Sequence, residues 1–148
     1  MTLALSASRP LGGGGRRGAG ARSVLLVDDD PATTEMYRLG LEAFGFHVRV
    51  ESDGPGLFRA VAAEVPDIVV LDWQLPGMRG DEVLEHLRLD ERTRALPVFI
   101  LSNFPADMDG AVDRVFMAGA MAWLQKAKTP PAVLAERLTE ALRAEPGC

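Results

Sequence analysis

A short apolar run that ends in an acid and leads into a proline–glycine loop constrains this chain more than any other stretch. Residues 67–80 read DIVVLDWQLPGMRG, and Ile68–Leu71 are four consecutive apolar residues. Such a run, placed between a proline and a turn, is typical of a strand buried on both faces. The Pro-Gly pair then forces the backbone to turn. Asp72 therefore stands at the carboxyl end of a buried strand, which is the edge where open α/β sheets bind ligands.

Five strand patterns, of which four are apolar runs and the one at 47–51 alternates, are separated by helical patterns along the chain. The patterns predict strands at 24–27, 47–51, 68–71, 98–101 and 121–124, and helices at about 31–44, 57–64, 81–90, from 105 onward, and 132–143. This alternation predicts an α/β fold, a doubly wound five-stranded parallel sheet with helices on both faces. In the first helix we expect four apolar side chains to reach the core, namely Met36, Leu39, Leu41 and Phe44, with Gly45 ending the helix.

Composition indicates one soluble domain. The chain has 148 residues, 47% hydrophobic and 25% charged, which is typical of a globular protein. Its single cysteine, Cys148, cannot form an internal disulfide. No apolar run approaches the ~20 residues of a membrane-spanning helix. We therefore expect a cytoplasmic protein without a membrane anchor.

The first 22 residues differ from the rest of the chain. They are rich in glycine, with four arginines and no acid. We interpret 1–22 as a disordered Gly/Arg-rich tail, 23–144 as one domain, and 145–148 as a C-terminal tail. Contact of the basic tail with nucleic acid or an acidic partner is the alternative interpretation. A signal peptide is disfavoured because the basic residues follow the apolar ones.

Acidic residues are expected to meet at one edge of the sheet. Asp28 and Asp29 follow the first strand, so they should lie near Asp72, while Ser102 and Lys126 follow the fourth and fifth strands. Three close carboxylates repel one another, and a hard cation such as Mg²⁺ relieves that repulsion. A metal, a hydroxyl and a lysine around one carboxylate suit phosphoryl transfer. In such a site an aspartate can itself be the nucleophile.

Four motifs carry a resemblance to a known family: VDDD, LDWQLPG, ILS and WLQK, in that order. The chain resembles the receiver domain of bacterial two-component response regulators over about residues 23–143. The resemblance implies a flavodoxin-like sheet of order 2-1-3-4-5 and Asp72 as phosphoacceptor. It implies Mg²⁺ bound directly by Asp29, largely through water by Asp28, and by the backbone carbonyl of Gln74. It also implies that Ser102 and Lys126 contact phosphoryl oxygens, and that Trp123 is the aromatic switch residue.

Several positions depart from the family pattern. Ala127 follows Lys126 where the family has a proline in a cis bond. A cis bond to a non-proline residue costs ~2.5–4 kcal/mol, so we expect either a trans bond or a strained loop. Lys128 is an alternative choice of lysine, and Arg79 replaces a frequent aspartate. Trp73 is expected to be a partly exposed loop aromatic.

The resemblance implies a signalling switch whose phosphoryl donor is a sensor histidine kinase or a histidine phosphotransfer protein. Because the sequence ends soon after the fifth helix, we expect a single-domain regulator without direct DNA binding. Output would pass through the face formed by the fourth helix, the fifth strand and the fifth helix. Homodimerisation stays open. The alternatives are a phosphorylation-independent docking module on the same fold and a Mg²⁺-dependent phosphohydrolase of the haloacid-dehalogenase type.

Overall fold

A computed structural model of the protein describes residues 21–105 and 110–143. The helices are α1 (Pro31–Ala43), α2 (Gly54–Ala63), α3 (Gly80–Leu89), α4 (Ala111–Met117) and α5 (Pro131–Arg143). The strands are β1 (Ser23–Val27), β2 (His47–Glu51), β3 (Ile68–Asp72), β4 (Gln74–Leu75), β5 (Met78–Arg79), β6 (Val98–Ser102) and β7 (Ala122–Gln125). Of the two proposed tails, only residues 21 and 22 belong to the described part of the chain.

Five of the strands form one parallel sheet in the order β2-β1-β3-β6-β7. Counted along the sheet strands alone, this is the order 2-1-3-4-5, so the prediction of a flavodoxin-like sheet is confirmed. The short strands β4 and β5 form a separate antiparallel hairpin directly after β3. β1 and β3 are central neighbours, and every residue of both strands is buried. Their apolar runs match this position, since a central parallel strand is covered on both faces.

Two hydrophobic cores lie on opposite faces of the sheet. On one face, β1 and β3 side chains pack with α1 and α5 through buried residues such as Leu41, Leu134 and Leu138. On the other face, the sheet packs with α2, α3 and α4 through residues such as Leu57 and Leu84. The sheet is therefore enclosed as the alternating pattern predicts.

The inward face of α1 differs from the prediction. Leu41 is buried as expected, but Met36, Leu39 and Phe44 are 47%, 53% and 59% exposed. The buried stripe consists of Thr34, Tyr37 and Leu41 at spacings of three and four, which places one side of the helix on the sheet. Tyr37 can be buried because its hydroxyl donates to the carbonyl oxygen of Thr129 at 2.7 Å. The prediction assigned the apolar residues of the helix to the core. The residues that are buried instead share one face of the helix, and that face includes Tyr37.

Two helix starts also differ from the prediction. α2 begins at Gly54, within the segment interpreted as a turn, because Asp53 caps it by accepting a hydrogen bond from the Gly56 amide at 2.7 Å. Within the described residues α4 begins after Gly110, which has φ +75°, and Pro105 lies outside it. Residues 106–109 are outside the described part of the chain.

None of the described helices has the length and apolar character needed to cross a bilayer.

Candidate functional site

Three carboxylates meet at the carboxyl edge of the sheet. Asp28 follows β1, Asp72 ends the adjacent strand β3, and Asp29 follows Asp28. One oxygen from each of the three lies within 4.8 Å of the others. Asp28 and Asp72 are only 3% and 9% exposed, whereas Asp29 is exposed. The structure therefore brings together the three acids that the sequence places at strand ends.

Lys126 supplies the positive charge of this pocket. It begins the short 3₁₀ turn after β7, and its Nζ lies 2.6 Å from Oδ2 of Asp28 and 3.5 Å from Oδ2 of Asp72. The side chain of Lys128 is exposed, so Lys126 is the lysine that faces the acids. The peptide bond between Lys126 and Ala127 is trans. Of the two expectations for this bond, the trans form is confirmed.

Burial sets the protonation of the pocket. Burial raises the pKa of Asp72 to about 6, and the charge of Asp28 adds to this, while Lys126 and the Gln74 amide oppose it. Burial works against the ammonium of Lys126, but its bond to Asp28 and the charge of Asp72 raise its pKa overall. Near neutral pH the pocket therefore holds a charged lysine beside an Asp72 carboxylate that is ionised but poorly solvated.

The donor set fits Mg²⁺. All three side chains offer oxygen atoms, the ligand type this ion prefers, and they are few enough to leave positions for water or phosphate oxygens. Burial and the charge of Asp28 both raise the pKa of Asp72, so a cation in the pocket would favour its ionised form. The Gln74 amide donates to Oδ1 of Asp72 at 3.3 Å, which places Gln74 beside the pocket. Coordination by its carbonyl stays a prediction.

Ser102 ends β6 and is 1% exposed. Its Oγ accepts a hydrogen bond from the Phe104 amide at 3.0 Å, so it organises the loop after β6. On the neighbouring strand β7, Trp123 is half-buried and its Nε1 donates to the carbonyl oxygen of Phe104 at 3.1 Å. Ser102 and Trp123 thus bind the amide and the carbonyl of the same loop residue, Phe104.

The sequence predicts that Trp73 is a partly exposed loop aromatic, and this prediction is wrong. Trp73 is 2% exposed and packs against Trp123, with ring centroids 5.5 Å apart at an angle of 46°. The hairpin after β3 turns the chain back, and the Gly80 amide donates to the Trp73 carbonyl at 2.8 Å. A Cβ on Gly80 would lie only 3.3 Å from Cε3 of Trp73, so glycine permits this close packing.

Sequence reasoning also missed the charged residues around Trp73. The guanidinium carbons of Arg79 and Arg114 each lie 5.9 Å from the Trp73 ring centroid. Both arginines pair with Asp81, whose side chain is 6% exposed. The sequence signal for this group of residues was Arg79, which stands where the family frequently has an aspartate. Asp81 and Arg114 are far apart in sequence, and only the packing of α3 on α4 brings them together.

The fold and the pocket define a doubly wound α/β protein with an acidic, lysine-containing cleft at the carboxyl edge of its sheet. The chain belongs to the response regulator receiver domain family, whose model matches residues 24–139. It is therefore a receiver domain of two-component signalling, a class that acts in signalling rather than as classical enzymes.

Curated relatives share this domain at moderate identity. Response regulator PleD of Caulobacter vibrioides is 34% identical over 105 residues, which cover 70% of this chain and 22% of PleD. The phosphate regulon transcriptional regulatory protein PhoB of Escherichia coli is 30% identical over 115 residues, or 78% of this chain and 49% of PhoB. The chain thus spans between about a fifth and a half of these relatives.

Solved structures share the fold. A LuxR-family two-component response regulator from Aurantimonas superposes with a TM-score of 0.75 at 30% identity, covering 85% of this chain and 88% of that one. The receiver domain of sensor histidine kinase PA1611 from Pseudomonas aeruginosa, solved with magnesium in its active site cleft, superposes with a TM-score of 0.74. It is 23% identical and covers 84% of this chain and 100% of that one, so this likeness concerns the fold alone.

Proposed function

We propose that the protein is a phosphorylation-dependent switch in which Asp72 accepts a phosphoryl group from a phosphohistidine. The donor is a sensor histidine kinase or a histidine phosphotransfer protein. The observation that carries the proposal is the setting of Asp72: a nearly buried carboxylate at the end of a central strand, with Asp28 and Asp29 within 4.8 Å and an ammonium at 3.5 Å. Asp28 has the same neighbours, but its carboxylate is already paired closely with Lys126, at 2.6 Å.

In the proposed step an oxygen of Asp72 forms a bond to phosphorus as the bond from phosphorus to the histidine nitrogen breaks. The imidazole keeps that electron pair and takes up a proton, and the product is an aspartyl phosphate. Because the pKa of Asp72 is about 6, the carboxylate is available as a nucleophile at neutral pH. Its poor solvation favours reaction, since little water must be removed from it.

Asp28, Asp29, Asp72 and the backbone carbonyl of Gln74 are the groups that would hold Mg²⁺. When bound, this ion offsets the negative charge of the phosphoryl oxygens. The ammonium of Lys126, 3.5 Å from Oδ2 of Asp72, would pair with a phosphoryl oxygen on that residue. The hydroxyl of Ser102, which accepts from the Phe104 amide, can at the same time donate its own proton to another phosphoryl oxygen.

The output face that we propose comprises α4, β7 and α5. This face is connected to the pocket in two ways. Lys126 follows β7 directly in the chain, and Trp123 on β7 donates a hydrogen bond to the loop that Ser102 organises. Phe116 and Met117 at the end of α4 are 44% and 89% exposed, which gives this side of the molecule apolar surface for a downstream protein or a second copy.

Incubation with acetyl phosphate and Mg²⁺, followed by intact mass measurement, tests the proposal. The wild type should gain one phosphoryl group, and the Asp72→Asn variant should gain none. A wild type that stays unmodified, while Mg²⁺ still binds, would favour the second candidate, a phosphorylation-independent docking module that uses the same face. The phosphohydrolase alternative loses its support, because the chain belongs to the receiver family.

A further inference from the structure

Four side chains form a connected cluster between the end of β3 and α4. They are Trp73, Arg79, Asp81 and Arg114. Oδ1 of Asp81 lies 3.2 Å from Nε of Arg79, and Oδ2 lies 3.3 Å from Nε of Arg114. Both guanidinium groups also lie 5.9 Å from the Trp73 ring. One buried carboxylate therefore holds two half-exposed cations against one indole.

This cluster connects the phosphoacceptor segment to a helix that is distant in sequence. Trp73 follows Asp72 directly, whereas Arg114 belongs to α4. Trp73 also packs against Trp123, whose indole nitrogen bonds to the loop after Ser102. Two routes of contact therefore lead from the end of β3, one to α4 and one to the loop at Ser102.

Asp81 is the member on which the cluster depends. Exposed ion pairs contribute little because water competes for both partners. The Asp81 side chain is only 6% exposed, so without its arginines the carboxylate would be a poorly solvated, unpaired charge. Arg79 and Arg114 are 55% and 46% exposed and can turn to water. The loss of Asp81 therefore removes an ion pair from each arginine, whereas the loss of Arg114 leaves Asp81 paired with Arg79.

We propose that Asp81 is a positioning residue that holds α4 in the position described here, through Arg114, and thereby opposes the rearrangement that phosphorylation of Asp72 favours. The proposal deepens the proposed function and depends on it for its second half. A contact made only in one state stabilises that state, and a ligand that favours another state then binds more weakly. Because coupling is reciprocal, cutting the contact should favour both the movement of α4 and the phosphorylation of Asp72.

The first half is tested without phosphorylation, by hydrogen exchange of the full chain. Asp81→Asn keeps the side-chain size and removes the charge. It should accelerate exchange of the α4 amides roughly tenfold, as expected when a coupled contact is lost, and leave α5 unchanged. The near-ultraviolet circular dichroism of the Trp73–Trp123 pair should change in the same variant. Glu35→Gln is the matched control, since it removes an ion pair with Arg38 on the surface of α1.

The second half is tested by phosphorylation with limiting acetyl phosphate and Mg²⁺, measured by intact mass. Asp81→Asn should reach a severalfold higher phosphorylated fraction than the wild type or Glu35→Gln. Arg114→Gln should act in the same direction with a smaller effect, and it replaces Asp81→Asn if that variant does not fold. Such a gain is not expected from a residue that only stabilises the fold.

Two outcomes would overturn the proposal. One is α4 exchange in Asp81→Asn or Arg114→Gln that is no faster than in Glu35→Gln. The other is faster α4 exchange with a phosphorylated fraction at or below that of the wild type. A wild type that takes up no phosphoryl group contradicts the proposed function instead. In that case the exchange and dichroism results still decide whether Asp81 holds α4.

Discussion

Lys126 is bound more closely to Asp28 than to Asp72. Its ammonium lies 2.6 Å from Oδ2 of Asp28 and 3.5 Å from Oδ2 of Asp72. The lysine thus neutralises mainly Asp28, which we expect on the metal side of the pocket. It neutralises Asp72, the proposed nucleophile, only in part. A cation bound at Asp28 would neutralise this carboxylate in place of Lys126. The lysine could then move toward a phosphoryl group on Asp72.

Replacing Lys126 by methionine should destabilise the protein. The change leaves the carboxylate of Asp28, 3% exposed, without its ammonium partner. Breaking a buried ion pair by removing one member costs about 3 kcal/mol. Urea denaturation in the absence of divalent cations should show this loss as a lower midpoint. Added Mg²⁺ should restore more stability to Lys126→Met than it adds to the wild type, because the cation replaces the missing charge.

Lys128→Met is the matched control for this experiment. Lys128 is two residues away and exposed, so its replacement should change the free energy of unfolding by less than about 0.5 kcal/mol. Equal losses in the two variants would show that Lys126 does not neutralise the pocket.

Asp72→Asn should change how stability depends on pH. An aspartate ordinarily has a pKa of 3.8, and burial raises the pKa of Asp72 to about 6 in the folded protein. A folded-state pKa above the unfolded value gives stability that is present below pH 4 and lost as the pH rises through 6. That loss is about 3 kcal/mol, at 1.36 kcal/mol for each pH unit between the two values. The asparagine variant does not have this loss.

The comparison is made by urea denaturation at pH 4 and pH 7 with a chelator present. The free energy of unfolding of Asp72→Asn, minus that of the wild type, should be about 2 kcal/mol larger at pH 7 than at pH 4, which is most of the full difference. Lys126 keeps its shorter contact with Asp28 in the variant, so the pocket retains one ion pair. Parallel pH profiles for the two proteins would contradict the assigned burial of charge at Asp72.

Asp29→Ala should weaken Mg²⁺ binding. Asp29 is the exposed member of the three carboxylates, so its removal takes away a metal ligand at little cost to the fold. The two tryptophans of the chain both lie near this edge, and Mg²⁺ titration should change their fluorescence in the wild type. Asp30→Ala is the matched control, because Asp30 is also exposed and its side chain accepts from the Thr33 hydroxyl. Identical titrations in all three proteins would remove the assigned metal site.

Much of the fold follows from the sequence, because its three central strands are largely apolar runs that are buried on both faces. The runs 24–27, 68–71 and 98–101 are strands in the structure, and the polar residues that follow them lie at the expected edge. The convergence of Asp28, Asp29 and Asp72 follows from the same rule, since parallel strands have all their carboxyl ends on one side.

What the sequence did not predict depends on contacts between distant residues. The burial of Tyr37 depends on an acceptor 92 residues away, and that of Trp73 depends on Trp123 and two arginines. The preference of Lys126 for Asp28 is a matter of about 1 Å between two acids that the pattern treats alike. Such distances are fixed by packing and leave no local pattern.

Ser102→Ala should weaken the transmission of the signal. The hydroxyl is 1% exposed and accepts from the Phe104 amide, so its loss should cost about 1 kcal/mol of stability. Beryllofluoride with Mg²⁺, a mimic of the acyl phosphate, should change hydrogen exchange mainly in β6, α4 and β7 of the wild type. The change should be smaller in Ser102→Ala, with Mg²⁺ binding intact. Thr139→Ala, which removes a hydroxyl on α5, is the control. Exchange changes confined to the loop after Asp72 would argue against a switch.

The central claim is that Asp72 carries the phosphoryl group. After reaction with acetyl phosphate and Mg²⁺, borohydride reduces an aspartyl phosphate to homoserine, and peptide mass spectrometry locates the reduced residue. We predict homoserine at position 72 of the wild type and at no other carboxylate, with none in Asp72→Asn. Homoserine at Asp28 or Asp29, or an equal yield in Asp72→Asn, would contradict the account.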